Sequence, residues 1–295
     1  MDISYFIELL INGALTGLMY SMVALGIVLI YKSAGVPNLA QGAMVMISAY
    51  LIWMFSSLVG LPIYVAIAVA VVGMFLFGLV AERVLLRKMV GQPIIMIVML
   101  TLGLEIFLRG VGPGFLGAAP KQFDLGINMM PIIIGDVFIN REYLVGGIVA
   151  CILIALSLLF FRTRLGTKLR AVSDDHVSSW SVGISVEKAI GISWGMGGIA
   201  AVAAGALWGS VQGVDWTLSM LLFPAVAVVI LGGLDSIYGV LVAGLIVGIL
   251  GSVIPGYVDP LVGGGTRDVV TSLIILLTII FRPHGMFGRE DIERV

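Results

Sequence analysis

The sequence predicts an all-α polytopic membrane protein with eight to nine transmembrane helices, some of them short or broken. Three observations carry that prediction. Hydrophobic residues make up 60% of the chain and charged residues 11%, with a mean hydropathy of +1.16, too apolar for a domain that must cover itself with a water-facing surface. Apolar runs approach the roughly 20 residues that cross a bilayer again and again. Residues 162–188 form the longest interval whose composition cannot lie in hydrocarbon.

In order, the apolar runs cover residues 9–31, 39–58, 62–83, 93–111, 142–161, 188–211, 218–232, 237–256 and 268–281. The first run is preceded by Asp2 and Glu8, and no Lys or Arg occurs before Lys32, so it reads as a retained span and not as a cleaved leader. The runs at 218–232, which contains Pro224, and at 268–281 fall short of a full crossing. Short or interrupted helices at membrane depth need shelter inside a bundle. We read residues 1–295 as one transmembrane domain, with a cytoplasmic segment at 162–188 and an extracytoplasmic loop at 113–142 ordered by Pro113, Pro120 and Pro131.

Orientation follows from the basic residues, which are retained on the cytoplasmic side. With nine alternating spans, Lys32, Arg83, Arg87, Lys88, Arg162, Arg164, Lys168, Arg170, Lys188, Arg282, Arg289 and Arg294 fall inside, whereas Arg109, Lys121, Arg141 and Arg267 fall outside or near the outer boundary. This places the C-terminus and the 162–188 segment in the cytoplasm. A bacterial inner membrane is the expected location.

Gly pairs four residues apart, Gly13 with Gly17, Gly191 with Gly195, Gly205 with Gly209 and Gly244 with Gly248, predict close helix approach within the bundle, since small residues let backbones meet where lipid supplies no hydrophobic drive. The string Gly112-Pro-Gly114-Phe-Leu-Gly117 has dinucleotide-fingerprint spacing. It follows a membrane helix and not a strand, which removes the structural context that the fingerprint requires. Histidine occurs only at 176 and 284 and cysteine only at 151, so no metal cluster, disulfide or His-based relay is expected. Glu105 and Arg109, four apart, read as a local ion pair. An enzyme is not expected, and neither a bound cofactor nor a nucleic acid partner.

Two places carry candidate function. The first is a pair of similar stretches, Asn38-Leu-Ala-Gln41-Gly42 and Asp235-Ser-Ile-Tyr-Gly239, each opening an outward-going span. Broken helices expose N-terminal amides that polar groups satisfy, which predicts Asn38 and Asp235 as caps and Gln41, with Gly42 and Gly239, beside a substrate path. The plainer reading makes Pro37 and Gly232-Gly233 ordinary surface turns. The second place is the 162–188 segment. Ser173 or Asp174 is expected to cap a short helix with Asp174 and Asp175 in its first turn, Gly183 is expected to end it, and Val177 and Trp180 share one face. Either it is a loop between spans or it docks a cytosolic partner.

Taken in order, several stretches resemble one family. These are 12–50 (NGALTGLMYSMVALGIVLIYKSAGVPNLAQGAMVMISAY), 81–93 (AERVLLRKMVGQP), 99–110 (MLTLGLEIFLRG), RTRLGTKLRAVSDD followed by Gly183-Ile184, 197–209 (GGIAAVAAGALWG), 231–250 (LGGLDSIYGVLVAGLIVGIL) and the C-terminal RPHGMFGRE. The chain resembles the branched-chain amino acid ABC transporter permeases of the LivH/LivM type. The resemblance implies an importer subunit that pairs with a second permease, identical or related, receives solute from an extracytoplasmic substrate-binding protein and is driven by separate ATP-binding subunits that hold ATP and Mg. It also implies that residues 166–183 form the coupling helix, with Arg170, Ser173, Asp174, Asp175, Val177, Trp180 and Gly183 facing the ATP-binding subunit. Solutes of the family include branched-chain amino acids, urea, short amides and small carboxylates. The chain departs from the family at Ala43, where Glu is common, and in His176-Val-Ser-Ser-Trp180, where Ala and Leu are common. The alternative from another class is an ion-coupled secondary transporter or channel, which the scarcity of intramembrane acids and bases disfavours.

Overall fold

A computed structural model describes residues 3–89, 91–128 and 130–289, without the side chains of His176 and Val177. Its helices are α1 (Ile3–Ala34), α2 (Gln41–Trp53), α3 (Ile63–Val84), α4 (Ile94–Leu116), α5 (Arg141–Phe161), α6 (Arg164–Asp174), α7 (His176–Ser181), α8 (Val186–Gln212), α9 (Leu222–Gly232), α10 (Ile237–Val262) and α11 (Thr266–Phe281). Among the described residues, seven helical stretches are long and apolar enough to cross a membrane, and Trp216–Gly232 is a shorter apolar stretch. With α11, 16 residues long, these account for the nine expected runs. The 113–142 loop is ordered by a hairpin that the all-α reading did not anticipate, β1 (Ile132–Ile134) paired antiparallel with β2 (Val137–Ile139) about Gly135, whose φ is 64°. Pro113, expected in that loop, lies inside the last turn of α4.

The chain forms two compact units. Unit 1 comprises Met1–Ala24, Ile127–Ile154 and Phe223–Val295. In it the first part of α1 runs antiparallel to α10. The Tyr5 ring meets Tyr257 edge-on at 5.7 Å, Leu9 packs at Gly256, Gly13 at Gly248 and Ser252, and the Ser21 hydroxyl donates 3.0 Å to the Val240 carbonyl. Gly17, Gly244 and Gly248 meet with no room for a Cβ, so the glycine spacing in the sequence is close backbone contact. Gly146 brings α5 against Met19 in the same way. The hairpin is tied to α1 through Asn12, which donates 2.8 Å to the Phe138 carbonyl and accepts 3.0 Å from the Asn140 amide.

Unit 2 comprises Leu25–Gly126 and Ala155–Leu222. Its centre is α8, packed on α3 through Gly78 against the Trp194 backbone and Gly198 against Met74, and on α2 through Gly205 against the Val45 carbonyl. A Cβ at Gly205 would fall 2.6 Å from that oxygen, which fixes a small residue there. Beyond α2 the helix widens into a π-helical turn, Met54–Leu58. The Lys121 ammonium lies 5.0 Å above the Trp53 ring, and the Lys121 backbone pairs with Val214. The Glu105–Arg109 pair forms at 3.4 Å with Glu105 buried.

Candidate functional site

The tight turn between α1 and α2 puts polar side chains where the surroundings are otherwise apolar. Asn38 and Gln41 are both fully buried. The Asn38 side-chain oxygen accepts 3.0 Å from the Ala40 amide, and its amide group donates 3.4 Å to Gln41 and 3.3 Å to the Met44 sulfur. Gln41 in turn donates 3.0 Å to the Gly197 carbonyl of α8. A side chain on Gly26 of α1 would overlap the Gln41 amide, so the glycine there makes room for it. Leu39, between them, donates its amide 3.3 Å to the Thr101 hydroxyl on α4. Four helices therefore converge on one short segment, and each buried polar atom has a partner, as burial demands.

Asn38 is not the cap of α2. That position is Ala40, with no side-chain cap bond, and Asn38 instead closes a turn by accepting from the amide of Ala40 itself, ahead of the helix. Asp235 is likewise displaced by its neighbour, since Ser236 caps α10 by accepting 3.0 Å from Gly239. Asp235 faces the C-terminal segment, where it accepts from the Arg289 amide at 3.3 Å and pairs with the Arg289 guanidinium at 3.7 Å. Met286 and Phe287 donate to the Leu231 and Gly232 carbonyls alongside. Thus Asn38, Gln41 and Gly42 cluster in unit 2, whereas Asp235 and Gly239 form a separate clip in unit 1. The two glycines do share a role. Gly42 packs on the Ser219 backbone and Gly239 on Gly232, each too close for a Cβ.

Sequence reasoning missed three buried polar atoms in unit 2, the Tyr50 hydroxyl, the Ser193 hydroxyl and the Trp194 indole N–H, which have no hydrogen-bond partner among the described residues. They lie on α2 and α8, the helices that Gln41 joins. Nothing in residue spacing flags a Tyr or Trp as unpaired, because pairing is decided by the neighbouring helix.

The polar segment folds as two helices and not one. Thr163 caps α6, accepting 3.3 Å from the Gly166 amide, and Gly166, Leu169 and Val172 form its buried stripe. Ser173, expected as a cap, lies in the last turn and donates 3.4 Å to the Tyr31 carbonyl at the end of α1. Asp174 ends α6. Asp175 is the residue that opens α7, accepting from the Ser178 amide at 3.0 Å and its hydroxyl at 2.6 Å. Gly183, with φ 79°, stops α7 as expected, its amide donating 3.0 Å to Trp180. Arg170 reaches back to Thr167 at 3.5 Å. Trp180 is 63% exposed and Val182 73%, while Ser179, just before them, is buried. The Val177 side chain lies outside the described residues.

A family profile described as branched-chain amino acid transport system, permease component, matches residues 9–281. The chain is 26% identical over 319 residues to the high-affinity branched-chain amino acid transport system permease protein BraD of Pseudomonas aeruginosa, covering 100% of this chain and 99% of that one. It is 30% identical over 289 residues to the probable branched-chain amino acid transport permease protein LivH of Methanocaldococcus jannaschii, covering 90% and 88%. A solved structure described as PsaBC from Streptococcus pneumoniae in complex with Fab aligns with 97% of this chain and 95% of that chain, at 15% identity and a TM-score of 0.47. The chain belongs to the family of permease components of branched-chain amino acid transport systems, as its motifs implied.

Proposed function

We propose that this permease forms the translocation path of an ATP-driven importer for branched-chain amino acids or related small solutes. ATP and Mg are held by separate ATP-binding subunits, a second permease completes the path and an extracytoplasmic binding protein delivers the solute. The C-terminus and the α6–α7 segment face the cytoplasm, a reading supported by the distribution of basic residues. The observation that carries the coupling role is the contrast within 164–183. Leu169, Val172 and Ser173 anchor α6 inside unit 2, whereas Trp180 and Val182, both large and apolar, stand exposed in a segment too polar for lipid. An exposed aromatic beside a rigidly held helix is the usual anchor of a protein contact. Arg170, Asp174 and Asp175 border that face.

For the path itself, Asn38 and Gln41 supply polar groups that a solute would otherwise lose on leaving water. They are closed off from solvent, so solute contact requires α2 and α8 to part. Tyr50, Ser193 and Trp194 on those two helices hold buried polar atoms with no hydrogen-bond partner among the described residues, and each gains one where water or a polar solute reaches it. Copurification of the tagged chain tests the assembly. ATP-binding subunits in the purified complex, and ATP-dependent uptake once it is reconstituted, are expected. A chain that transports alone would overturn the reading.

A further inference from the structure

The β1–β2 hairpin carries large apolar side chains on an exposed face. Ile133 and Phe138 stand directly opposite each other across the ladder, so they share that face, and they are 61% and 49% exposed. Ile132, Ile134, Val137 and Ile139 take the other face, where Ile139 is buried. The hairpin is held at both ends of β2. The Phe138 amide donates 3.2 Å to the Glu8 carboxylate of α1, and the Phe138 carbonyl accepts 2.8 Å from Asn12, one turn further along the same helix. The Asn140 side chain then accepts 2.9 Å from the Glu142 amide in the first turn of α5.

These anchors set the depth of Phe138. No charged residue occurs in α1 between Glu8 and Lys32, a stretch of about 34 Å at about 1.5 Å per residue, nor in α5 between Glu142 and Arg162, about 28 Å. Each stretch matches a hydrocarbon core roughly 30 Å thick, so Glu8 and Glu142 mark one boundary of the membrane from two helices. Phe138 is bonded to the first of these and closely precedes the second in the chain. Tyr5, whose ring meets Tyr257 of α10, and Tyr143 stand at the same end of their helices, as amphipathic rings do where hydrocarbon gives way to head groups.

The chemistry of the hairpin fixes the layer it occupies. With β2 as its strand partner among the described residues, β1 keeps a free edge whose backbone groups need water or head groups, and Asp136 in the exposed turn is charged. Both exclude the hydrocarbon core. Ile133 and Phe138 side by side are equally misplaced in bulk water. Only the layer between the two accommodates all of them.

We infer that the hairpin is an interfacial anchor, with Ile133 and Phe138 dipping into the upper acyl region of the bilayer beside α1 and α5, and Asp136 held among the head groups. Lipid is the occupant of the exposed face because two helices hold Phe138 at the membrane boundary. The inference needs only that α1 and α5 cross the membrane, and so stands apart from the importer reading.

The test uses the full-length permease as it purifies, in nanodiscs, with Cys151→Ser as background and an environment-sensitive fluorophore attached at Ile133→Cys. Labels at Gln122→Cys, exposed beside Lys121, and at Ile152→Cys, exposed midway along α5, are the water and lipid references. The Ile133→Cys label should emit to the blue of the Gln122→Cys label. It should be quenched severalfold more by lipid carrying a spin label near the head group than by aqueous iodide. The Ile152→Cys label should respond most to a spin label deep in the acyl chain. Phe138→Cys gives the same readout from the other strand if Ile133→Cys does not reconstitute. Iodide quenching as strong as at Gln122→Cys would place the face in water and overturn the inference. Shielding from iodide and lipid alike would also overturn it, since the cover would then be protein, either a second permease or a binding protein.

Discussion

The side-chain amide of Gln41 lies 3.0 Å from the carbonyl oxygen of Gly197, in space left open by Gly26. One polar side chain thereby joins α1, α2 and α8 of unit 2 at a point with no access to solvent.

The Gly197 carbonyl keeps its own helix bond when Gln41 is lost, and leucine nearly matches glutamine in size. Gln41→Leu does remove the acceptor of one N–H of the buried Asn38 amide, and should cost about 1–3 kcal/mol in stability. Uptake rate or solute preference in the reconstituted complex should change by more than that cost implies. Asn38→Ala orphans the buried Ala40 amide and should cost about 1–3 kcal/mol. Uptake of a panel of amino acids, amides and carboxylates, normalised to complex abundance, decides the matter; an unchanged profile for Gln41→Leu removes it from the path.

The glycine contacts make a contrasting prediction. At Gly17 an added methyl group overlaps the Gly244 backbone, whereas at Gly103 on α4 nothing lies within 4 Å. Gly17→Ala should destabilise by about 1–3 kcal/mol as α1 and α10 are forced apart. Gly103→Ala should be neutral or stabilise by up to about 1 kcal/mol through helix propensity. Thermal unfolding of the purified variants checks both, and equal midpoints would contradict the packing argument.

These glycines also show what was legible in the sequence. Apolar runs and four-residue glycine spacing follow from the solvent and from helix geometry, so they appear in the chain itself; the spans and close helix packing were legible, whereas the pairing of α1 with α10 came only from the structure. The polar details were not legible. Asn38 and Asp235 look like caps, but cap position depends on where the helix starts, and a shift of one residue gave the role at α10 to Ser236. The fold of 162–188 into two helices turned on Thr163, whose capping value is visible only once Gly166 is known to pack on Phe160 and Phe161.

Topology is testable residue by residue. In a background lacking Cys151, which is exposed on α5, cysteines at Lys88, Lys168 and Arg289 should be protected from an impermeant thiol reagent in intact cells. A cysteine at Gln122 should react. It is exposed beside Lys121, whose own ammonium is held over Trp53. Labelling of position 168 from outside would reverse the orientation and with it the coupling role.

The coupling role makes the last prediction. Trp180 presents most of its surface to solvent, so Trp180→Ala removes few contacts within the chain and should change its own stability by no more than about 0.5 kcal/mol. Val182→Asp places a charge on the same exposed stretch and should likewise leave insertion and folding intact. In the complex both positions are expected to be covered by the ATP-binding subunit. There an aromatic anchor lost, or a charge left unpaired, costs about 2 kcal/mol or more. ATP-binding subunits should therefore copurify at reduced yield, or ATP-dependent uptake should fall, while the permease remains as abundant and as thermally stable as the wild type. Leu169→Ala is the counterpart. Leu169 is buried in the anchored face of α6, and its loss should lower the stability of the permease itself by about 2–5 kcal/mol. If Trp180→Ala and Val182→Asp both retain full uptake and full subunit yield, the exposed face of 175–183 is not the contact, and force from the ATPase enters elsewhere.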